Sequence, residues 1–140
     1  MTDDVITNKA ASIERCLERI QQDRCDHDTD LSEDHTRQDA IVLNLLRACE
    51  SAIDMAMHLV RRERLGVPQS SRDAFDLLAG AGYIDSALAE RLKKMVGFRN
   101  IAIHNYQQIN IDILQSILAE RLQDFRLFAA ALLTTKGQGG

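Results

Sequence analysis

The sequence is short of several things that small proteins specialise in. It has one proline and 4% aromatic residues among 140 positions, and no run of alternating apolar and polar residues of the kind a sheet needs. No apolar stretch approaches the roughly 18 residues that argue for a membrane-crossing helix. The opening MTDDVITNKA lacks the basic-then-apolar layout of a secretion signal. Cys16, Cys25 and Cys49 are odd in number and form no Cys-x-x-Cys, so they read as reduced thiols. A cytoplasmic protein with no membrane association is expected. The formal net charge of −4 excludes a protein that coats nucleic acid through bulk positive charge; any RNA must bind a local basic patch.

What is present is a supply of Leu, Ala and Ile at helical spacing, with 45% hydrophobic residues overall. That balance predicts an all-α fold. The length suits one domain that buries its core without metal or disulfide staples. We expect an antiparallel bundle of four main helices plus one short helix over residues 1–134, and a flexible tail over 135–140.

The first helix is expected from about Asp4 to Arg24, with Ile6, Ala10, Ile13, Leu17 and Ile20 on one face. An acidic loop, CDHDTDLSEDH, follows. Its aspartates do not make a calcium site, because counting from Asp26 places Leu31 where glycine belongs and Arg37 where glutamate belongs. His27 and His35 among these carboxylates read as solvated, and no metal site is expected. The longest helix is expected from about Thr36 to Leu65, with Gly66 as a left-handed cap and Pro68 beyond it. Its stripe from Ile41 to Val60 is core. On its other side Asn44, Arg47, Ser51, Asp54 and His58 form a polar ridge. This ridge is either a solvated face with an Asp54–His58 pair, or a groove lining in which Asp54 or Arg47 serves a site elsewhere. A short helix from Ser71 ends at Gly80 and Gly82. Asp85 or Ser86 caps the next helix, and Asn110 caps the last, which runs through Leu114, Leu118, Leu122, Phe125 and Phe128.

The chemistry gathers at RNIAIHNY, Arg99 to Tyr106. Leu88, Leu92, Met95, Ala102 and Tyr106 fall on one apolar stripe of an ideal helix, and Arg99 falls within it. A guanidinium is costly to bury alone, so Arg99 must meet a groove, a partner or an anion. His104 points roughly 140° away on the same ideal helix. One site can use both only if the helix distorts near Ile103 or a second copy of the chain completes it. An arginine fork that neutralises phosphate oxygens and an imidazole that titrates near neutrality suit work on a phosphodiester. Arg91, Lys93 and Lys94, one to two turns earlier, make a candidate track for an RNA backbone or a solvated cationic face.

These residues resemble the signature of the HEPN superfamily, and within it the HepT-like toxins: Arg99, four residues, His104, one residue, Tyr106. The stretches QDAIVLNLLRACESAIDMAMHL, SSRDAFDLLAGAG and LKKMVGFRNIAIHNY are similar to segments of that family in the same order, so the likeness covers about residues 5 to 134. The resemblance implies a metal-independent endoribonuclease whose two protomers line a cleft with their motif helices. Arg99 would hold the scissile phosphate, and His104 would act as general acid or base. Asn100 and Asn105 would be polar helpers, with Asp54 as a further supporting residue. It also implies an MntA-like nucleotidyltransferase antitoxin that transfers AMP from ATP to Tyr106, so that ATP serves the partner and this chain binds no cofactor.

Two other readings stand beside it. A noncatalytic HEPN module that only binds a nucleotide or a partner fits the acidic charge and low aromatic content. A purely structural bundle would tie Arg99 to a carboxylate of another helix, Asp54 for instance, and leave His104 as a satisfied histidine.

Overall fold

The computed structural model describes residues 3–25 and 31–134. Residues 26–30 of the acidic loop, His27 among them, and the tail at 135–140 lie outside the described residues. Among the described residues there are six α-helices and no strand: α1 (Asp4–Cys25), α2 (His35–Arg62), α3 (Ser71–Gly80), α4 (Ser86–His104), α5 (Ile111–Glu120) and α6 (Leu122–Leu133). Single 3-10 turns lie at Leu31–Glu33 and Tyr106–Gln108. None of these helices is long and apolar enough to cross a membrane.

Local chemistry sets most of the boundaries. Side-chain oxygens of Asp34, Ser70, Asp85 and Asn110 accept backbone N–H groups in the first turns of α2, α3, α4 and α5, satisfying donors that the helix leaves unpaired. The end of α2 differs from expectation. The left-handed residue is Arg64 (φ 54°) rather than Gly66, and Leu65 N–H reaches the Val60 carbonyl at 3.0 Å, the wrap-around bond of a Schellman cap. Gly66 has φ 145° and Gly82 has φ 86°. Gly82 closes α3 by the same kind of bond, from Tyr83 N–H to Leu78 at 3.0 Å.

The last expected helix is two. Its apolar spacing continues through Leu122, but Arg24 of α1 donates from Nη1 to the Leu118 carbonyl at 2.6 Å. An unbroken helix would use that carbonyl for the amide four residues on. A side chain inserted into the ladder breaks the helix, and α6 starts after Arg121.

Helix α2 runs through the middle of the fold, with Ile41, Leu45, Ala48, Met55, Ala56 and Leu59 fully buried. Helix α1 packs along it, α3 lies on α4, and α6 touches α1, α2 and α4. Phe75 of α3 meets Phe128 of α6 edge to face, ring centres 5.5 Å apart and planes at 70°; each buried phenyl contributes roughly 1.5–3 kcal/mol.

The polar ridge of α2 is solvated only in part, at Arg47 and Asp54, and holds no Asp54–His58 pair. Much of it is the seam with α1. Asn44 and Ser51 are buried, and Ser51 donates to Ser12 of α1 at 3.1 Å. His58 pairs with Asp3 at 2.7 Å, and Asp54 pairs with Lys9 at 3.0 Å. Asp3 also caps α1 through Oδ1 and takes Arg62 Nη1 at 2.8 Å. Burial would raise its pKa, but the hydrogen bonds from His58, Arg62 and the Ile6 amide outweigh it and hold the carboxyl at about 2. This one side chain therefore ties the start of α1 to the end of α2.

Candidate active site

The fold places the motif at the C-terminal end of α4. Leu88, Leu92, Met95 and Ala102 are buried as the stripe requires, and Arg99 sits at its edge facing α2. The guanidinium is a quarter exposed and is held by Glu50: Nε donates to Oε1 at 2.6 Å, and Nη2 lies 2.5 Å from the same oxygen. Nη1 donates to Asn100 Oδ1 at 3.0 Å. Asn100 is therefore a helper of Arg99. Among the described residues the fork has no partner besides Glu50 and Asn100. Glu50 is itself 45% exposed, so the pair is screened by water and exchangeable.

The interhelix carboxylate that meets Arg99 is thus Glu50 and not Asp54, which lies one turn later on α2 and is engaged by Lys9. Arg47 is exposed on the same helix.

His104 is the last residue of α4 and is exposed. Among the described residues its ring makes no hydrogen bond or ion pair. The helix is regular up to that point, with Asn105 N–H on the Ile101 carbonyl at 2.8 Å, so no distortion at Ile103 turns the imidazole toward Arg99. Asn105 is the exposed C-cap (φ −142°, ψ 56°), and its carbonyl accepts from Gln108 at 2.8 Å.

Tyr106 leaves the stripe. It opens the 3-10 turn after Asn105, is 41% exposed, and donates its hydroxyl to Asp39 Oδ1 near the start of α2. Partial burial and the adjacent Asp39 carboxylate both disfavour the phenolate, and the phenol pKa is pushed up to about 12.

The expected basic track is mostly spent on internal pairs. Arg91 holds the buried Asp124 at 2.9 Å, and Lys93 holds Asp76 and Glu90, each at 3.0 Å. Lys94 is exposed and lines, with Arg121, the rim of an apolar groove of about 450 Å³ between α4 and α5. Ile101, on the groove wall, precedes His104 by three residues and so shares its flank of the helix.

Sequence reasoning missed Glu50 and Asp39. Their signal is the antiparallel register of α2 and α4. Once Arg99 faces Glu50, a residue seven positions later must face an earlier part of α2, and Asp39 is there.

An all-helical domain with arginine and histidine in the last turns of one helix and tyrosine in the turn that follows has the architecture of a HEPN ribonuclease-type domain. The chain belongs to the HepT-like family: the family model described as "Ribonuclease HepT-like" matches residues 13–132. It is 50% identical over 125 residues to the mRNA nuclease HepT of Shewanella oneidensis, covering 89% of this chain and 93% of that one. A crystal structure of a toxin-antitoxin with AMP-PNP superposes with a TM-score of 0.88 at 47% identity, covering 93% of this chain and 98% of that chain. The tri-AMPylated HEPN toxin of Shewanella oneidensis in complex with its MNT antitoxin gives the same TM-score and identity, covering 93% and 97%.

Proposed function

We propose that this chain is the toxin of a toxin–antitoxin pair, an endoribonuclease that cuts RNA with Arg99 and His104 and is silenced by AMP transfer to Tyr106. The observation that carries the reading is the end of α4, where an exposed His104 with no partner among the described residues follows an arginine held by a half-exposed carboxylate. The family relationship and the tri-AMPylated relative support it.

In this reading the 2′-hydroxyl of the RNA attacks the neighbouring phosphorus, the bond to the 5′-oxygen breaks, and one proton leaves the nucleophile while another reaches the leaving oxygen. His104 moves a proton in this exchange, and Arg99 neutralises the phosphate oxygens as charge builds on them. The substrate supplies its own nucleophile, so no metal is needed to make one. Arg99 and His104 lie on different flanks of α4, and a homodimer brings the second protomer's set to the same phosphate. Ile101 and Ile103, 47% and 48% exposed beside the motif, are the apolar surface such a partner would cover. The antitoxin partner is a nucleotidyltransferase that consumes ATP. An AMP on Tyr106 adds bulk and a negative phosphate near Arg99, competing with RNA by shape and by charge.

His104→Ala and Arg99→Ala test the enzyme. Each is expected to lower RNA cleavage at least about a hundredfold and to abolish growth arrest, with the helical circular dichroism unchanged. Variants that stay fully toxic overturn the reading. Mass spectrometry of the Tyr106 peptide after coexpression with the antitoxin tests the regulation, with gains in whole AMP units expected.

A further inference from the structure

Asp39 spends an exposed carboxylate on a single contact. Among the described residues it forms no ion pair, and its side chain accepts one hydrogen bond, from the Tyr106 hydroxyl. The bond spans 67 positions in the chain and joins the first turns of α2 to the turn after α4. A hydrogen bond this close to water contributes little to folding, yet it fixes where the phenol points. Neither His104, Arg99 and Lys94 on α4, nor Asp112 in the first turn of α5, nor His35, Arg37, Arg47 and Glu50 on α2 bonds the phenol; among the described residues only Asp39 does. Tyr106 as a residue stays 41% exposed, so the turn that carries the phenol is open to an incoming molecule.

We infer that Asp39 presents the Tyr106 hydroxyl to an incoming nucleoside triphosphate and takes its proton as the nucleotide is transferred. This rests on the proposed role of Tyr106 as AMP acceptor. An Oη lone pair attacks the α-phosphorus of ATP, and the Oη–P bond forms. The bond from that phosphorus to the bridging oxygen breaks, and pyrophosphate leaves with the electron pair. The phenolic proton passes to Asp39 Oδ1 and then to water. A base in contact is needed because the free phenol is essentially un-ionised at neutral pH, all the more so with its pKa raised to about 12.

The same contact makes the product state different from the starting one. Once Oη carries a phosphodiester it has no proton to donate, and Asp39 faces a negative phosphate instead of a donor. Repulsion then expels the modified side chain from Asp39, freeing the nucleotide to lie over the end of α4 where Arg99 and His104 stand.

The test is a time course of AMP incorporation into the full chain by intact-mass spectrometry, with the partner nucleotidyltransferase and ATP, from pH 6.5 to 9. Wild type is compared with Asp39→Asn, whose amide oxygen can still accept the hydrogen bond. Taking the ratio of variant to wild type at each pH cancels ionisations of the transferase. The variant is expected to be at least about tenfold slower at pH 7. Its ratio to wild type should climb steeply with pH, because without the carboxylate the reaction depends on phenolate formed in advance, with a pKa nearer the ordinary value of about 10. A variant that incorporates AMP at the wild-type rate, or one that is slower by the same factor at every pH, overturns the base role of Asp39 while leaving Tyr106 as the acceptor. Wild type that gains no AMP on Tyr106 removes the acceptor reading and this inference with it.

Discussion

Arg99 places two of its nitrogens, Nε and Nη2, on one oxygen of Glu50, at 2.6 and 2.5 Å. The pair orients the fork, but the carboxylate also occupies the electrostatic position that a phosphate would fill. If Arg99 is the phosphate-binding residue, as proposed, substrate binding has to compete with an internal anion.

That competition has a measurable consequence. In a His104→Ala background that does not cleave, Glu50→Gln is expected to tighten binding of RNA about fivefold, equivalent to about 1 kcal/mol of relieved repulsion. Fluorescence anisotropy with a short labelled RNA reads it directly. Because the pair is solvent-accessible, stability should change by less than about 0.5 kcal/mol. Unchanged or weaker binding would mean that Glu50 positions the guanidinium for substrate rather than competing with it.

The split between Arg99 and His104 leads to a second expectation. Light scattering should give twice the 15.7 kDa of one chain, and Ile101→Asp should yield monomers that lose cleavage although both motif side chains are intact. A stable monomer that still cuts RNA contradicts the shared cleft.

Acid should loosen the junction at Asp3. Its carboxyl is depressed to about 2 in the fold against an unfolded value near 3.9, so the charged form stabilises fully above roughly pH 4 and this contribution fades as pH falls toward 2. Urea unfolding of wild type against Asp3→Asn should show a difference on the order of 1 kcal/mol at pH 6 that closes between pH 4 and 2. A gap that persists unchanged to pH 2 would mean that shape, and not charge, makes the joint.

Much of the frame could be read in advance because helices announce themselves locally. The stripes of α1, α2 and α4 and the caps at Asp85 and Asn110 depend on residues a few positions apart. The α5–α6 break did not show, since it comes from Arg24, 94 positions away from the carbonyl it binds. The ridge of α2 was misread for a related reason. Polar spacing looks the same whether Ser51 and His58 face water or a serine of another helix and the aspartate that caps it.

The sequence by itself determined the all-helical frame, the family, and the order Arg99, His104, Tyr106 along one segment, because a period of 3.6 residues and a motif are both properties of neighbouring positions. Only the tertiary structure decided that Glu50 holds the arginine, that Asp54 goes to Lys9, and that the tyrosine hydroxyl rests on Asp39. Those choices depend on how far α2 slides and rotates against α1 and α4, and that offset is set by the packing of the whole core at once.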